Sequence, residues 1–66
     1  MKVLRFGSHG PMVEFLQNLL EELRFYTGKI DGIFGNMTKN AVIQFQSSYK
    51  LDNDGIVENL TWNALS

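Results

Sequence analysis

The chain has 66 residues, enough to enclose one hydrophobic core and therefore one domain, residues 1–66. It has no cysteine and a single histidine, which excludes disulfides and the usual structural zinc sites, so packing of apolar side chains must stabilise it. The net charge of −1, with lysines and arginines scattered along the chain, gives no basic stripe for nucleic acid.

The N-terminal residues and the first helix come first along the chain. Residues 1–6 hold only a very short apolar stretch, which is too short for a secretory signal, and no later run is long enough to span a membrane. A helix is expected to begin at Pro11, where proline's missing N–H costs nothing, and to end near Arg24. Its apolar residues recur at the helical period: Val13, Leu16, Leu19, Leu20 and Leu23.

Two further helices follow a compact connection at residues 25–30. The second is predicted from about Met37 to Tyr49, with Ala41, Val42, Phe45 and Tyr49 on its buried face. The third is predicted from about Asn59 to the end and is too short to be stable alone, so Leu60, Ala64 and Leu65 must pack against the other two. The sequence therefore predicts an all-α fold, a compact three-helix bundle.

Two segments repeat one pattern. Residues 31–42 align without gaps on residues 54–65, and Asp, Gly, Ile, Asn, Thr, Asn and Ala are identical. Asp-Gly is a strong turn signal, because aspartate hydrogen-bonds its own backbone and glycine accepts positive φ. Asparagine and threonine suit a helix entrance. The bundle is therefore expected to contain two repeated Asp-Gly turn-helix units.

The ordered set of these residues resembles the small three-helix peptidoglycan-binding domain found beside bacterial cell-wall hydrolases, over nearly the whole chain. Two positions depart from the family pattern: Arg24 and Glu58 stand where it usually has glycine. A left-handed arginine would cost roughly 1 kcal/mol relative to glycine. The matching residues are Leu4, Arg5, Gly7, Ser8, Gly10, Val13, Leu16, Gln17, Phe25, Tyr26, Gly28, Ile30, Asp31, Gly32, Phe34, Gly35, Thr38, Ala41, Val42, Phe45, Gln46, Asp54, Gly55, Ile56, Val57, Thr61, Trp62, Ala64 and Leu65.

This resemblance implies a non-catalytic, monomeric module without a cofactor. It implies recognition of peptidoglycan, through the stem peptide and adjoining glycan, in a shallow groove beside the second helix and its preceding loop. It further implies an attached catalytic domain, such as a carboxypeptidase, an amidase or a muramidase. The whole protein would act in the cell wall or elsewhere outside the cytoplasm, with its targeting signal outside this chain.

Candidate ligand contacts surround the first turn-helix unit. Its loop and helix entrance offer backbone N–H groups to a carboxylate, and Asp31 could bind ammonium or amide groups, although fixing its own turn is its commoner role. Aromatic rings could pack on a sugar or a methyl group, or complete the core. Gln17 and Gln46 are expected to satisfy turn backbone groups. The candidates are Tyr26, Asp31, Gly32, Phe34, Gly35, Asn36, Thr38 and Trp62.

Other functions fit parts of the sequence. A calcium module is disfavoured, because with Gly32 at the sixth loop position the third ligand would be Lys29, which cannot bind calcium. An enzyme would need a nucleophile with a base, a metal or a sheltered carboxylate pair, and His9 has no partner for such a role. A helical protein-interaction module remains the alternative and would expose a larger apolar patch.

Overall fold

The computed structural model describes residues 1–66 and contains three α-helices and no strands, which confirms the predicted all-α class. Helix α1 spans Pro11–Glu22, α2 spans Asn36–Ser48 and α3 spans Asn59–Leu65. The predicted bounds differ from these by one or two residues at α1 and α2, where cap residues extend the helical pattern. None of the helices combines the length and apolar composition of a membrane span.

Helices α1 and α2 end in the same hydrogen-bonded motif. After α1, the Phe25 N–H donates to the Leu20 carbonyl (2.8 Å) and the Arg24 N–H donates to the Glu21 carbonyl (2.9 Å). Arg24 has φ 70°, and Lys50 occupies the corresponding position after α2 with φ 59°. This is the Schellman motif, whose left-handed residue is usually glycine. The arginine that departs from the family pattern is therefore held in the strained conformation itself.

The core draws apolar side chains from all three helices, from the connections and from the N-terminal segment. The predicted α1 face is confirmed at Val13, Leu16 and Leu20, which are fully buried, whereas Leu23, the C-cap of the helix, is 39% exposed. Two predictions were wrong: Tyr49 is 49% exposed and Leu60 is 73% exposed. Tyr49 is the non-helical C-cap of α2 and stacks on the outside of Phe45, while Leu60 turns outward because its neighbours in α3 face the core.

The N-terminal segment (residues 2–10) packs along both turn-helix units. Leu4 and Val57 form an isolated antiparallel bridge, with N–H to carbonyl distances of 3.1 and 2.8 Å. Further along, the Gly7 N–H donates to the Phe34 carbonyl at 2.9 Å. Phe34 and Val57 occupy equivalent places in the repeat, so the same side of each unit faces this segment. Ile33, next to Phe34, is 58% exposed, so one side of the first unit is left open.

Candidate functional site

The first Asp-Gly turn is held by the side-chain amide of Gln17, which projects from α1 and is fully buried. Its Oε1 accepts hydrogen bonds from the N–H groups of Gly32 (2.9 Å) and Asp31 (3.2 Å). Its Nε2 faces Asp31 Oδ1 (3.1 Å), the Ile33 carbonyl (3.1 Å) and Thr38 Oγ1 (3.0 Å). An amide nitrogen carries two hydrogens, so these acceptors share them. We call this arrangement the Gln17 clamp.

Gln46 repeats the arrangement at the second turn. This side chain projects from α2 and is 1% exposed, and its Oε1 accepts a hydrogen bond from the Gly55 N–H at 3.0 Å. Its Nε2 faces Asp54 Oδ1 (3.3 Å), the Ile56 carbonyl (3.0 Å) and Thr61 Oγ1 (3.1 Å). Each helix therefore fixes the turn that starts the next helix. The predicted structural role of both glutamines is confirmed.

The helix entrances agree with the prediction, since Asn36 and Asn59 are the first residues of α2 and α3 and a threonine follows two residues later in each. Gly35 and Glu58, the residues before α2 and α3, have extended backbones, and neither helix has a side-chain cap. Thr38 and Thr61 are buried and hydrogen-bond to the clamp glutamines instead. The two threonines therefore support the buried glutamines and do not cap the helices.

A furrow of about 250 Å³ lies on the open side of the first unit, and we call it the first furrow. Ile33 and Met37 expose 58% and 55% of their surface. Lys29 supplies a cation and Asp31 a carboxylate, and the first N–H groups of α2 have no partner within the helix. The furrow therefore offers apolar surface together with groups of opposite charge. Its lining residues are Tyr26, Lys29, Asp31, Ile33, Gly35, Met37 and Thr38.

Tyr26 forms one wall of the first furrow. Its hydroxyl donates to the Lys29 carbonyl and lies 3.4 Å from Gln17 Nε2, so the ring is fixed against the clamp and only 5% exposed. Gly28 makes room for it: a Cβ there would lie 2.8 Å from the tyrosine hydroxyl oxygen. The wall is therefore rigid, and a side chain at position 28 would displace it.

The carboxylate of Asp31 is tied to its own turn at the edge of the first furrow. The Ile33 N–H donates to Oδ1 at 3.0 Å, and the Gln17 amide donates to the same oxygen. These two hydrogen bonds, in that order, lower the pKa of Asp31, and the positive charge of Lys29 lowers it slightly further. Asp31 is thus ionised at neutral pH, and Oδ2 takes no part in either bond.

A second furrow, of about 290 Å³, lies against the second unit. Asp54, Ile56 and Thr61 stand there at the repeat positions of Asp31, Ile33 and Thr38. Its charged lining residues are all carboxylates, and nowhere do three or more histidine, aspartate or glutamate side chains converge to bind a metal ion. Its lining residues are Val3, Gln46, Leu51, Asp52, Asp54, Ile56, Glu58, Asn59, Leu60 and Thr61.

The structure places four of the predicted ligand contacts in the first furrow: Tyr26, Asp31, Gly35 and Thr38. Asn36 is exposed at the first residue of α2, outside the lining of either furrow.

Three predicted contacts lie away from the furrows. Gly32 and Phe34 are buried, and Phe34 packs in the core. Trp62 is 5% exposed, and its indole N–H donates to the Lys2 carbonyl at 2.8 Å while its ring stacks on Phe15. The geometry gives no support for ligand contact by these three residues.

Sequence reasoning missed three lining residues of the first furrow, Lys29, Ile33 and Met37. A signal for Ile33 exists in the chain. It directly precedes Phe34 in an extended stretch, where successive side chains point to opposite faces, so only one of the two can be buried. The larger ring takes the core position, which leaves Ile33 on the open side.

Comparison with known proteins gives consistent matches. The family model described as "Putative peptidoglycan binding domain" matches residues 9–65. The N-acetylmuramoyl-L-alanine amidase CwlM of Mycobacterium tuberculosis is 46% identical over 54 residues, covering 79% of this chain and 13% of that protein. The spore cortex-lytic enzyme of Oceanobacillus iheyensis is 39% identical over 64 residues, covering 97% of this chain and 23% of that enzyme.

Solved structures match over almost the whole chain. The crystal structure of the SleB N-terminal domain has a TM-score of 0.95 and 39% identity, covering 97% of this chain and 88% of that chain. A peptidoglycan-binding protein from Clostridioides difficile, in complex with glutamine hydroxamate, has a TM-score of 0.92 and 44% identity, covering 97% of this chain and 40% of that one. The chain thus spans less than a quarter of the length of the amidase CwlM and of the spore cortex-lytic enzyme.

Proposed function

Because the chain belongs to the family of peptidoglycan binding domains, we propose that it is a non-catalytic module that binds peptidoglycan and holds an attached cell-wall hydrolase close to its polymer. The family match over residues 9–65 carries this proposal. The relatives support the second part, since they include an amidase and spore cortex-lytic enzymes of which this chain matches only a small share. Such a protein acts outside the cytoplasm, with the module as a monomer.

The first furrow is the proposed site for the stem peptide and the adjoining glycan. A peptide carboxylate would face Lys29 and the free N–H groups at the start of α2. The ionised Asp31 would accept hydrogen bonds from peptide N–H or ammonium groups. Alanine methyl groups would pack on Ile33 and Met37, whose exposed surfaces have no partner of their own in the core.

Charge favours the first furrow over the larger second one. The second furrow carries Asp52, Asp54 and Glu58 and no lysine or arginine. A carboxylate-bearing peptide would meet only like charge there, whereas Lys29 offers it an opposite charge in the first furrow. Volume alone therefore does not select the site.

Binding to one soluble fragment is expected to be weak, because the furrow is shallow and open. A dissociation constant between about 1 mM and about 1 μM suits such a site. The polymer raises the effective affinity instead. A module that leaves one repeat meets neighbouring repeats at a high local concentration and rebinds, which keeps the attached enzyme near the polymer.

Sedimentation of the domain with insoluble peptidoglycan tests this function. We expect the domain to pellet, and soluble muropeptides to shift the NMR signals of Lys29, Ile33 and Met37. Lys29→Gln should weaken binding about three- to fivefold, the effect of one exposed charge pair. Lys39→Gln, an exposed position on α2 outside both furrows, is the matched control. A domain that stays in the supernatant, or shifts confined to Arg5 or His9, would refute the proposal.

A further inference from the structure

The second furrow has no part in the function proposed above, although it is the larger of the two cavities. We propose that it is a second ligand site, which binds an ammonium group carried on a short apolar chain. This inference rests on the proposed function, since an amine-bearing side chain of a stem peptide has that chemistry. The module would then contact the polymer at two points of opposite charge preference.

The two furrows lie beside the two repeated turn-helix units and share several equivalent residues. A buried glutamine, hydrogen-bonded to an Asp-Gly turn and to a buried threonine, supports the residues that line each one. Ile56 and Leu60 line the second furrow at the repeat positions of Ile33 and Met37 in the first. The cavity therefore follows from the repeat itself, and a rigid clamp supports it as it supports the first.

Side chains at two equivalent places change the charge. Asp52 follows the left-handed Lys50 by two residues, as Tyr26 follows Arg24, and it adds a carboxylate to the lining of the second furrow, whereas Tyr26 adds an aromatic ring to the lining of the first. Glu58 stands at the repeat position of Gly35. With Asp54, these residues give the second furrow three carboxylates, and no lysine or arginine lines it.

Apolar surface lies beside these carboxylates. Leu60 is 73% exposed and Val3, from the N-terminal segment, is 42% exposed, and Leu51 and Ile56 complete the lining. A bare metal ion would make no use of this surface, and the carboxylates do not converge as metal ligands. An ammonium group on methylene groups uses both features, because the chain packs on the apolar wall while the charge faces the carboxylates.

NMR titration with Nα-acetyl-lysine methylamide tests the site, since this probe carries an ammonium group and no carboxylate. We expect saturable shifts at Asp52, Ile56 and Leu60, with little change at Met37 in the first furrow. The Nε-acetylated probe, which lacks the charge, should bind about fivefold more weakly. Raising the ionic strength from about 0.01 M to about 0.15 M should also weaken binding of the charged probe.

The double variant Asp52→Asn with Glu58→Gln removes two charges without touching the Gln46 clamp. It should bind the charged probe about fivefold more weakly, since exposed charge pairs contribute modestly. The double variant Glu21→Gln with Glu22→Gln, on the exposed face at the end of α1, is the matched control and should bind as the wild type does.

The outcomes separate this inference from the proposed function. Equal binding of the charged and acetylated probes, full retention of binding by the Asp52 and Glu58 variant, or shifts in the first furrow alone would overturn the second site. Any of these results would overturn the second site even if the wild-type domain pellets with peptidoglycan, and the proposed function would then be unaffected. A wild-type domain that fails to pellet overturns the proposed function instead, whatever the lysine probe does.

Discussion

Replacing Gln17 with leucine tests whether the clamp holds the first furrow in place. Leucine fits a similar space but can neither donate nor accept a hydrogen bond. The buried Gly32 N–H then loses its side-chain acceptor at 2.9 Å. Two other hydrogen bonds remain: the Thr38 hydroxyl still donates to the Ile33 carbonyl at 3.4 Å, and Asp31 Oδ1 still accepts from the Ile33 N–H at 3.0 Å. The largest single loss is therefore at Gly32.

The expected cost follows from these contacts. A buried N–H left without an acceptor costs about 1–3 kcal/mol, and the weakening of the remaining hydrogen bonds adds roughly 1 kcal/mol. The total is about 2–4 kcal/mol. A chain of 66 residues has an unfolding free energy of roughly 3–10 kcal/mol, so Gln17→Leu removes a large fraction of the stability.

Urea unfolding followed by circular dichroism measures this loss. With a slope of about 1 kcal/mol per molar urea, the midpoint should fall by about 2–4 M or the variant should be unfolded without denaturant. Hydrogen exchange at the Gly32 amide should accelerate as well. Gln44→Leu, at an exposed position of α2, is the control and should change stability by no more than about 0.5 kcal/mol. A Gln17→Leu variant as stable as that control would contradict the clamp's energetic role.

Three further predictions concern single positions. Arg24→Gly should stabilise the fold by about 0.5–1 kcal/mol in urea unfolding, because glycine relieves the left-handed φ of 70°. Gln44→Gly, inside α2, is the control and should destabilise the fold by a similar amount. A loss of stability in Arg24→Gly would count against strain at this position. The lowered pKa of Asp31 means that its ionised form stabilises the folded state at pH values above the unfolded pKa of about 3.9, and that this contribution is lost as the pH falls through the lower folded value. The urea midpoint of Asp31→Asn should accordingly fall less between about pH 5 and about pH 2 than that of the wild type, and an identical fall would be inconsistent with the shift. Gly28→Ala should cost about 1–3 kcal/mol and disturb the Tyr26 ring signals, because its Cβ would lie 2.8 Å from the tyrosine hydroxyl oxygen; unchanged ring signals would show that the wall adapts.

Local patterns in the sequence were sufficient for the helices and the turns. The spacing of Val13, Leu16 and Leu20 identifies the buried face of α1, because residues three and four apart lie on the same face of an α-helix. The gapless match between residues 31–42 and 54–65 identifies two equivalent turns, and the amide chemistry of glutamine explains why Gln17 supports one of them.

The furrow-lining side chains were harder to predict, because contacts between distant residues decide which side of each unit stays open. The pairing of Phe34 with Gly7 and of Val57 with Leu4 fixes the covered side. No local pattern shows that pairing. Trp62 shows the same dependence on distant contacts. The sequence predicts it as a groove residue, but it is buried, and its indole N–H donates to the carbonyl of Lys2, 60 residues away.

That bond between Trp62 and Lys2 has a kinetic consequence. The Gln17 and Gln46 contacts close short loops, whereas joining Lys2 to Trp62 brings together positions 60 residues apart and carries a larger entropic cost. The turn-helix units are therefore expected to form in the transition state for folding, and the N-terminal segment to dock afterwards. Loosening that segment should then accelerate unfolding while leaving the folding rate nearly unchanged.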